Sequence, residues 1–151
     1  MQTRRKTLQH SAVVAAFLAA QGLLPGLAHA FNAKAFEAKN VADALKALGA
    51  GAPAESKDVT ITAPDIAENG AVVPLGASTT LAGVKQLLIM VEKNPNTLVA
   101  LFNVTDSVDA NILTRAKLGQ SSDVYAIAIM GDGKALFAKK EVKVTLGGCG
   151  G

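Results

Sequence analysis

After Lys57 the chain is a series of short β-type runs, each closed by a turn signal, and that spacing leaves few folds open. Asp58-Val59-Thr60-Ile61-Thr62 alternates polar with apolar, and Ala71 to Leu75 is a second run of the same kind. Gln86 to Glu92, Thr97 to Val104, Ile112 to Leu118 and Asp123 to Met130 follow. In the last run, Ala135 to Leu146, Val142, Val144 and Leu146 alternate with Lys143 and Thr145. Asn69-Gly70 reads as a two-residue hairpin turn with positive φ at both positions. Lys93-Asn94-Pro95-Asn96, Gly119-Gln120-Ser121-Ser122 and Asp132-Gly133 mark later turns. Pro74 lacks an N–H and so belongs at a sheet edge or a bulge. About seven strands at this spacing predict an antiparallel β-sandwich of immunoglobulin-like type. A lone Cys and no Trp mean that its core is aliphatic and unstapled.

The segment before the strands, residues 31–56, is rich in Ala and Lys and reads as helical. Ala38, Val41, Ala42, Leu45 and Leu48 recur at helical spacing, and Gly49 and Gly51 stand where a helix would stop. Asn40, with Asp43 three residues on, is positioned to cap a second, shorter helix and split the run in two.

Residues 1–30 have the order of a secretory signal. Arg4, Arg5 and Lys6 come first, an apolar run extends from Ala12 to Leu24, and Ala28-His29-Ala30 gives a small-x-small cleavage pattern. The apolar run is shorter than the ~20 residues of a spanning helix, so a retained anchor fits less well. Arg4-Arg5 with Thr7-Leu8 also matches a twin-arginine signal, which implies export of folded cargo to a bacterial periplasm and no membrane attachment after cleavage.

Cleavage would leave 121 of the 151 residues, enough for one core. Lys plus Arg would fall from 15 to 12 against 12 Asp plus Glu, which leaves no basic stripe for nucleic acid. His10 and His29, the only histidines, would leave too. Ser-His and Cys-His pairs and the common His-containing zinc, copper and haem ligand sets are thereby excluded. Asp106 and Asp109 read as solvated turn carboxylates, because their loop lacks the Gly and terminal Glu of a calcium loop.

The remaining chemistry is concentrated in Gly147-Gly148-Cys149-Gly150-Gly151. Four glycines have nothing to bury and lose the most entropy on ordering, so residues 147–151 read as a flexible arm beyond a sandwich spanning 57–146. Three links from Leu146 place the thiol roughly 10 Å out when extended. An odd Cys in an exported protein points to a reactive thiol or to intermolecular pairing, including a disulfide between two copies through Cys149. Lys139, Lys140 and Lys143 read as the solvated face of the last strand, with attraction of an anionic substrate as the sharper reading. Two other uses of the tail stay open. A ubiquitin-like carrier would use the Gly151 carboxyl, and a structural protein would hold a partner through a permanent Cys149 disulfide.

The Gly-Gly-Cys-Gly-Gly segment resembles the swinging arm of the SoxY family, the carrier subunits of periplasmic thiosulfate oxidation. Ile66-Ala67-Glu68-Asn69-Gly70-Ala71-Val72-Val73-Pro74, Arg115-Ala116-Lys117-Leu118, the twin-arginine leader and the helical start are also similar to that family. The resemblance implies a covalent carrier rather than an enzyme. Cys149 would be the attachment point for thiosulfate-derived sulfur, Gly147, Gly148, Gly150 and Gly151 would form the arm, and no resident cofactor or metal is implied. It further implies a heterodimer with SoxZ and transient docking to the SoxXA cytochrome, the SoxB hydrolase and, where present, the SoxCD sulfane dehydrogenase.

Overall fold

The computed structural model describes residues 32–145. Two short helices come first, α1 (Ala33–Glu37) and α2 (Val41–Ala47). The Asn32 and Asn40 side chains accept from the N–H groups of Ala35 and Asp43, satisfying helix-start donors that would otherwise lack partners. The predicted break at Asn40 is therefore real. At the end of α2, Gly49 takes φ +73°, and its N–H and that of Ala50 reach back to Lys46 and Leu45 in a Schellman arrangement.

Nine strands follow: β1 (Pro53–Glu55), β2 (Val59–Thr62), β3 (Ile66–Ala67), β4 (Val73–Thr79), β5 (Val84–Val91), β6 (Leu98–Asn103), β7 (Asn111–Ala116), β8 (Ser122–Met130) and β9 (Ala135–Val144). The larger sheet runs β1-β9-β8-β5-β6, with β3 also paired to β9, and the smaller runs β2-β4-β7. The long ladders are antiparallel, as the sandwich reading requires, whereas the additions of β1 and β3 to β9 are parallel.

Aliphatic side chains fill the space between the sheets, with Val73, Leu75, Leu87, Ile89, Val91, Val124 and Val142 fully buried. The helices cover the other face of the larger sheet. Ala44 and Leu45 pack there against Leu88, Met90 and Ile127. Successive β5 residues thus point into two different cores, which is why Leu87 to Val91 is a continuous apolar run rather than an alternating one. Phe137 and Tyr125 join the helix-side cluster with ring centroids 5.7 Å apart, and Phe102 packs against the inter-sheet core. Among the described residues, no helix is long and apolar enough to cross a membrane.

Four expectations need correction. Asn69-Gly70 is not a positive-φ hairpin turn, because neither residue has positive φ. Asn69 instead makes a local turn with its Oδ1 accepting from the Ala71 N–H at 2.9 Å, and the chain on its N-terminal side has already joined β9. The strand expected over Ala71 to Leu75 begins at Val73 and continues through Gly76 to Thr79. Gly76 does not stop it, since the Leu113 side chain from β7 lies across the space that a Cβ would occupy. Pro53 to Glu55, inside the segment read as helical, forms β1 on the edge of β9. Pro74 does not put its strand at a sheet edge, because β4 is the middle strand of β2-β4-β7. Pro74 itself pairs with Arg115 on β7, while the ladder to β2 has already ended at Gly76.

Candidate functional site

Cys149 and the glycines at 147, 148, 150 and 151 lie outside the described residues, as does the leader at 1–30. The structure does describe the part of the sandwich from which the thiol-bearing segment departs. β9 is ten residues long and pairs with β8 from Ala135 to Val142. The turn that starts it is the one expected at Asp132-Gly133, where Gly133 takes φ +85° and Asp132 Oδ1 accepts from the Lys134 N–H.

The end of β9 is held by groups that strand periodicity does not reveal. The N–H groups of Lys143 and Thr145 donate to the carbonyls of Asp65 and Ala67 at 3.0 and 3.1 Å. From the opposite edge, Ser121 Oγ accepts from the Val144 N–H at 2.9 Å. The Gly70 carbonyl accepts from the Leu118 N–H at 2.8 Å, which ties the β3 loop to the segment before β8. A sequence signal for this loop existed, because residues 66–74 carried part of the family resemblance. The hairpin reading of Asn69-Gly70 hid its use.

The three lysines expected to form one solvated face have separate fates. Lys139 pairs with Asp123 at 3.0 Å and stands 5.9 Å from the Tyr125 ring centroid. Its hydrogen bond to Asp123, aided by that carboxylate's charge, holds the Lys139 ammonium above its ordinary range. Partial burial and the nearby Glu92 carboxylate push the Tyr125 phenol up. Lys140 points the other way, to Asp65 at 2.9 Å and the Ala63 carbonyl at 2.7 Å. That hydrogen bond, with the lysine's charge, lowers the Asp65 carboxyl below its ordinary range. Lys143 is exposed and has no ion-pair partner among the described residues. Two of the three positive charges are therefore already engaged by carboxylates of the sandwich, whereas Lys143 has no such partner among the described residues.

No group of three metal-ligating side chains occurs among the described residues. Asp106 and Asp109 are exposed in the loop before β7, as expected. Asp109 borders an open polar groove of about 590 Å³ with Thr60, Thr79 and Asn111. This groove lies at the Thr79 end of β4, whereas the β3 loop and Leu118 lie beyond its Val73 end. The two are separated by a strand of seven residues, roughly 20 Å, so the groove lies well away from the β3 loop. The described end of β9 is thus a strand terminus held from both edges, where Lys143 is exposed and without an ion-pair partner among the described residues.

Comparison with known proteins agrees with this picture. A solved sulfur carrier protein SoxY from Chlorobium limicola f thiosulfatophilum is 33% identical, with a TM-score of 0.56, over 62% of this chain and 84% of that one. Two structures of a superoxide reductase (neelaredoxin) from Ignicoccus hospitalis are 18% identical at TM-score 0.51, covering 58% of this chain and 79% of theirs, a likeness of fold alone. No curated protein sequence matches the chain. The family model for sulfur oxidation protein SoxY matches residues 44–149, from the middle of α2 to the thiol itself. The sandwich, the strand that leads to Cys149 and this match together place the chain in the SoxY family of sulfur-oxidation carrier proteins.

Proposed function

We propose that the protein is a periplasmic carrier that holds thiosulfate-derived sulfur on Cys149 and presents it to the enzymes that oxidise it to sulfate. The observation that carries this reading is the family match, which runs through the β9 terminus and ends on the thiol at 149. Residues 1–30 serve as a twin-arginine-type export signal, 57–146 as the sandwich, and 147–151 as the swinging arm. No resident cofactor is required, because the only bond the carrier contributes is at sulfur.

The cycle balances as follows. Cys149 thiol and thiosulfate join through a new S–S bond, releasing one proton and passing two electrons to the haem of a cytochrome partner, SoxXA. Water then cleaves the terminal S–S bond on the hydrolase SoxB, releasing sulfate and a proton and leaving a persulfide on Cys149. Where SoxCD is present, it takes six electrons from that outer sulfur and adds three water oxygens, releasing seven protons and leaving a sulfonate on the Cys149 sulfur. A second hydrolysis releases sulfate and restores the thiol. The heterodimer partner is SoxZ. Within this cycle the chain is a substrate of its partners and not an enzyme.

Intact-mass measurement of the protein from thiosulfate-grown cells, before and after reduction, tests this reading. Reducible adducts of sulfur or thiosulfate should map to Cys149 and be missing from Cys149→Ser. A bare thiol, or one fixed protein–protein disulfide, during active thiosulfate oxidation would overturn it.

A further inference from the structure

The ladder that holds β9 along its length stops at the Ser122–Val142 pair. Three described residues remain before the arm, and each has a separate hold. Alternate N–H groups of a strand point to opposite edges. Those of Lys143 and Thr145 reach the carbonyls of Asp65 and Ala67, and that of Val144 reaches Ser121 Oγ from the other side. Gly70 closes the arrangement. A Cβ at this position would stand 2.6 Å from the Leu118 carbonyl oxygen and 2.8 Å from Val144 Cγ1. The first of these is backbone already tied to Gly70 and the second is on β9, so a larger residue must shift the loop against the segment before β8 and disturb its contact with Val144.

We propose that β3, Gly70 and Ser121 form a clamp on residues 143–145 that fixes where the chain leaves the sandwich on its way to Cys149. Gly70 and Ser121 are positioning residues. They act by setting the length and origin of the tether. The clamp rests on the proposed function only in taking Cys149 as the sulfur-bearing group. Four links separate Thr145 from Cys149, a reach of roughly 13–14 Å. Releasing residues 143–145 adds three links and extends the reach to roughly 23–25 Å. Spreading one thiol over that larger volume lowers its effective concentration at a docked partner's active site roughly two- to fivefold.

The test uses the protein isolated from cells, with Gly70→Ala, Ser121→Ala and Ser121→Thr variants. Hydrogen exchange is followed at residues 143–145 and, as an internal control, at Leu87 to Met90. Ser121→Ala loses one hydrogen bond and should speed exchange at 143–145 roughly three- to tenfold, leaving the control amides unchanged. Ser121→Thr retains the hydroxyl and should restore protection. Sulfur loading of Cys149 from thiosulfate by a periplasmic extract should slow roughly two- to fivefold where the clamp is wholly released, as in Gly70→Ala, and by a smaller factor in Ser121→Ala, which removes one of its bonds. Alkylation of the same thiol by iodoacetamide should not change. Unaltered exchange in the variants would overturn the clamp. Faster exchange with loading at the wild-type rate would overturn the positioning role. A wild-type protein that takes up no sulfur would overturn the proposed function itself, a result the exchange data do not produce. If Gly70→Ala does not fold, the Ser121 pair decides the matter.

Discussion

Thr97 is fully buried, and its Oγ1 has no hydrogen-bond partner among the described residues. Its backbone is fully used, donating to the Ala38 carbonyl at 3.1 Å and accepting from the Val91 N–H at 2.8 Å. The position thus links the helical segment to the larger sheet through the main chain while its hydroxyl is buried at a cost. An apolar group of the same shape removes that cost and keeps both backbone bonds. Thr97→Val should stabilise the protein by about 1 kcal/mol, raising Tm by roughly 3–5 °C in a thermal melt. Gly70 and Gly76 show the opposite constraint, since both are glycine because neighbouring atoms occupy the Cβ position. Neither has positive φ. The usual inference from a glycine beside an Asn, that the backbone turns left-handed, fails at Gly70 because close approach is the operative requirement.

β3 is two residues long and makes no independent structure; its existence depends on the edge that β9 offers. The Lys140–Asp65 pair stands where the chain enters it. Because the folded-state carboxyl of Asp65 titrates below its ordinary value, the pair's contribution is present above about pH 4, the unfolded carboxylate range. It is lost as the pH falls through the lower folded value. The pair is largely exposed, so its effect is local and salt-sensitive. Asp65→Asn should therefore speed exchange of the Lys143 and Thr145 amides near neutral pH. That difference from wild type should shrink below about pH 4, as the wild-type carboxyl also becomes neutral. A difference that persisted unchanged into acid would show that the ion pair does not support this edge.

Across the whole molecule, the larger sheet lies between two cores and the smaller sheet has one open face. Leu88 is fully buried between β5 and the helices, whereas Leu113 on the open face of β7 is 73% exposed. Leu88→Ala should cost about 2–5 kcal/mol by denaturant unfolding, through lost transfer energy and the cavity left behind. Leu113→Ala should fall within about 0.5 kcal/mol of wild type. Equal costs for the two would contradict the layered arrangement. The helices are thus structural cover for the sheet whose last strand leads to the thiol.

The sequence by itself determined what depends on neighbours along the chain. Asn40 and Gly49 bound a helix through bonds that close within a few residues, and Asp132-Gly133 turns β8 into β9 for the same reason. Alternating and short apolar runs placed the seven principal strands, although the run read as Ala71 to Leu75 extends from Val73 to Thr79. The segment Gly147-Gly148-Cys149-Gly150-Gly151 drew attention as chemistry because a single thiol stands there among four glycines. Tertiary structure alone decided which distant segments meet. Pro53 to Glu55 and Ile66 to Ala67 are too short to carry a periodic signal, and each becomes a strand only when β9 supplies a partner about 80 residues later. The same distance in sequence separates Lys140 from Asp65, and Val144 from the loop containing Gly70. The mount of the thiol was therefore hidden while the thiol itself was plain, since one is made by long-range contacts and the other by five consecutive residues.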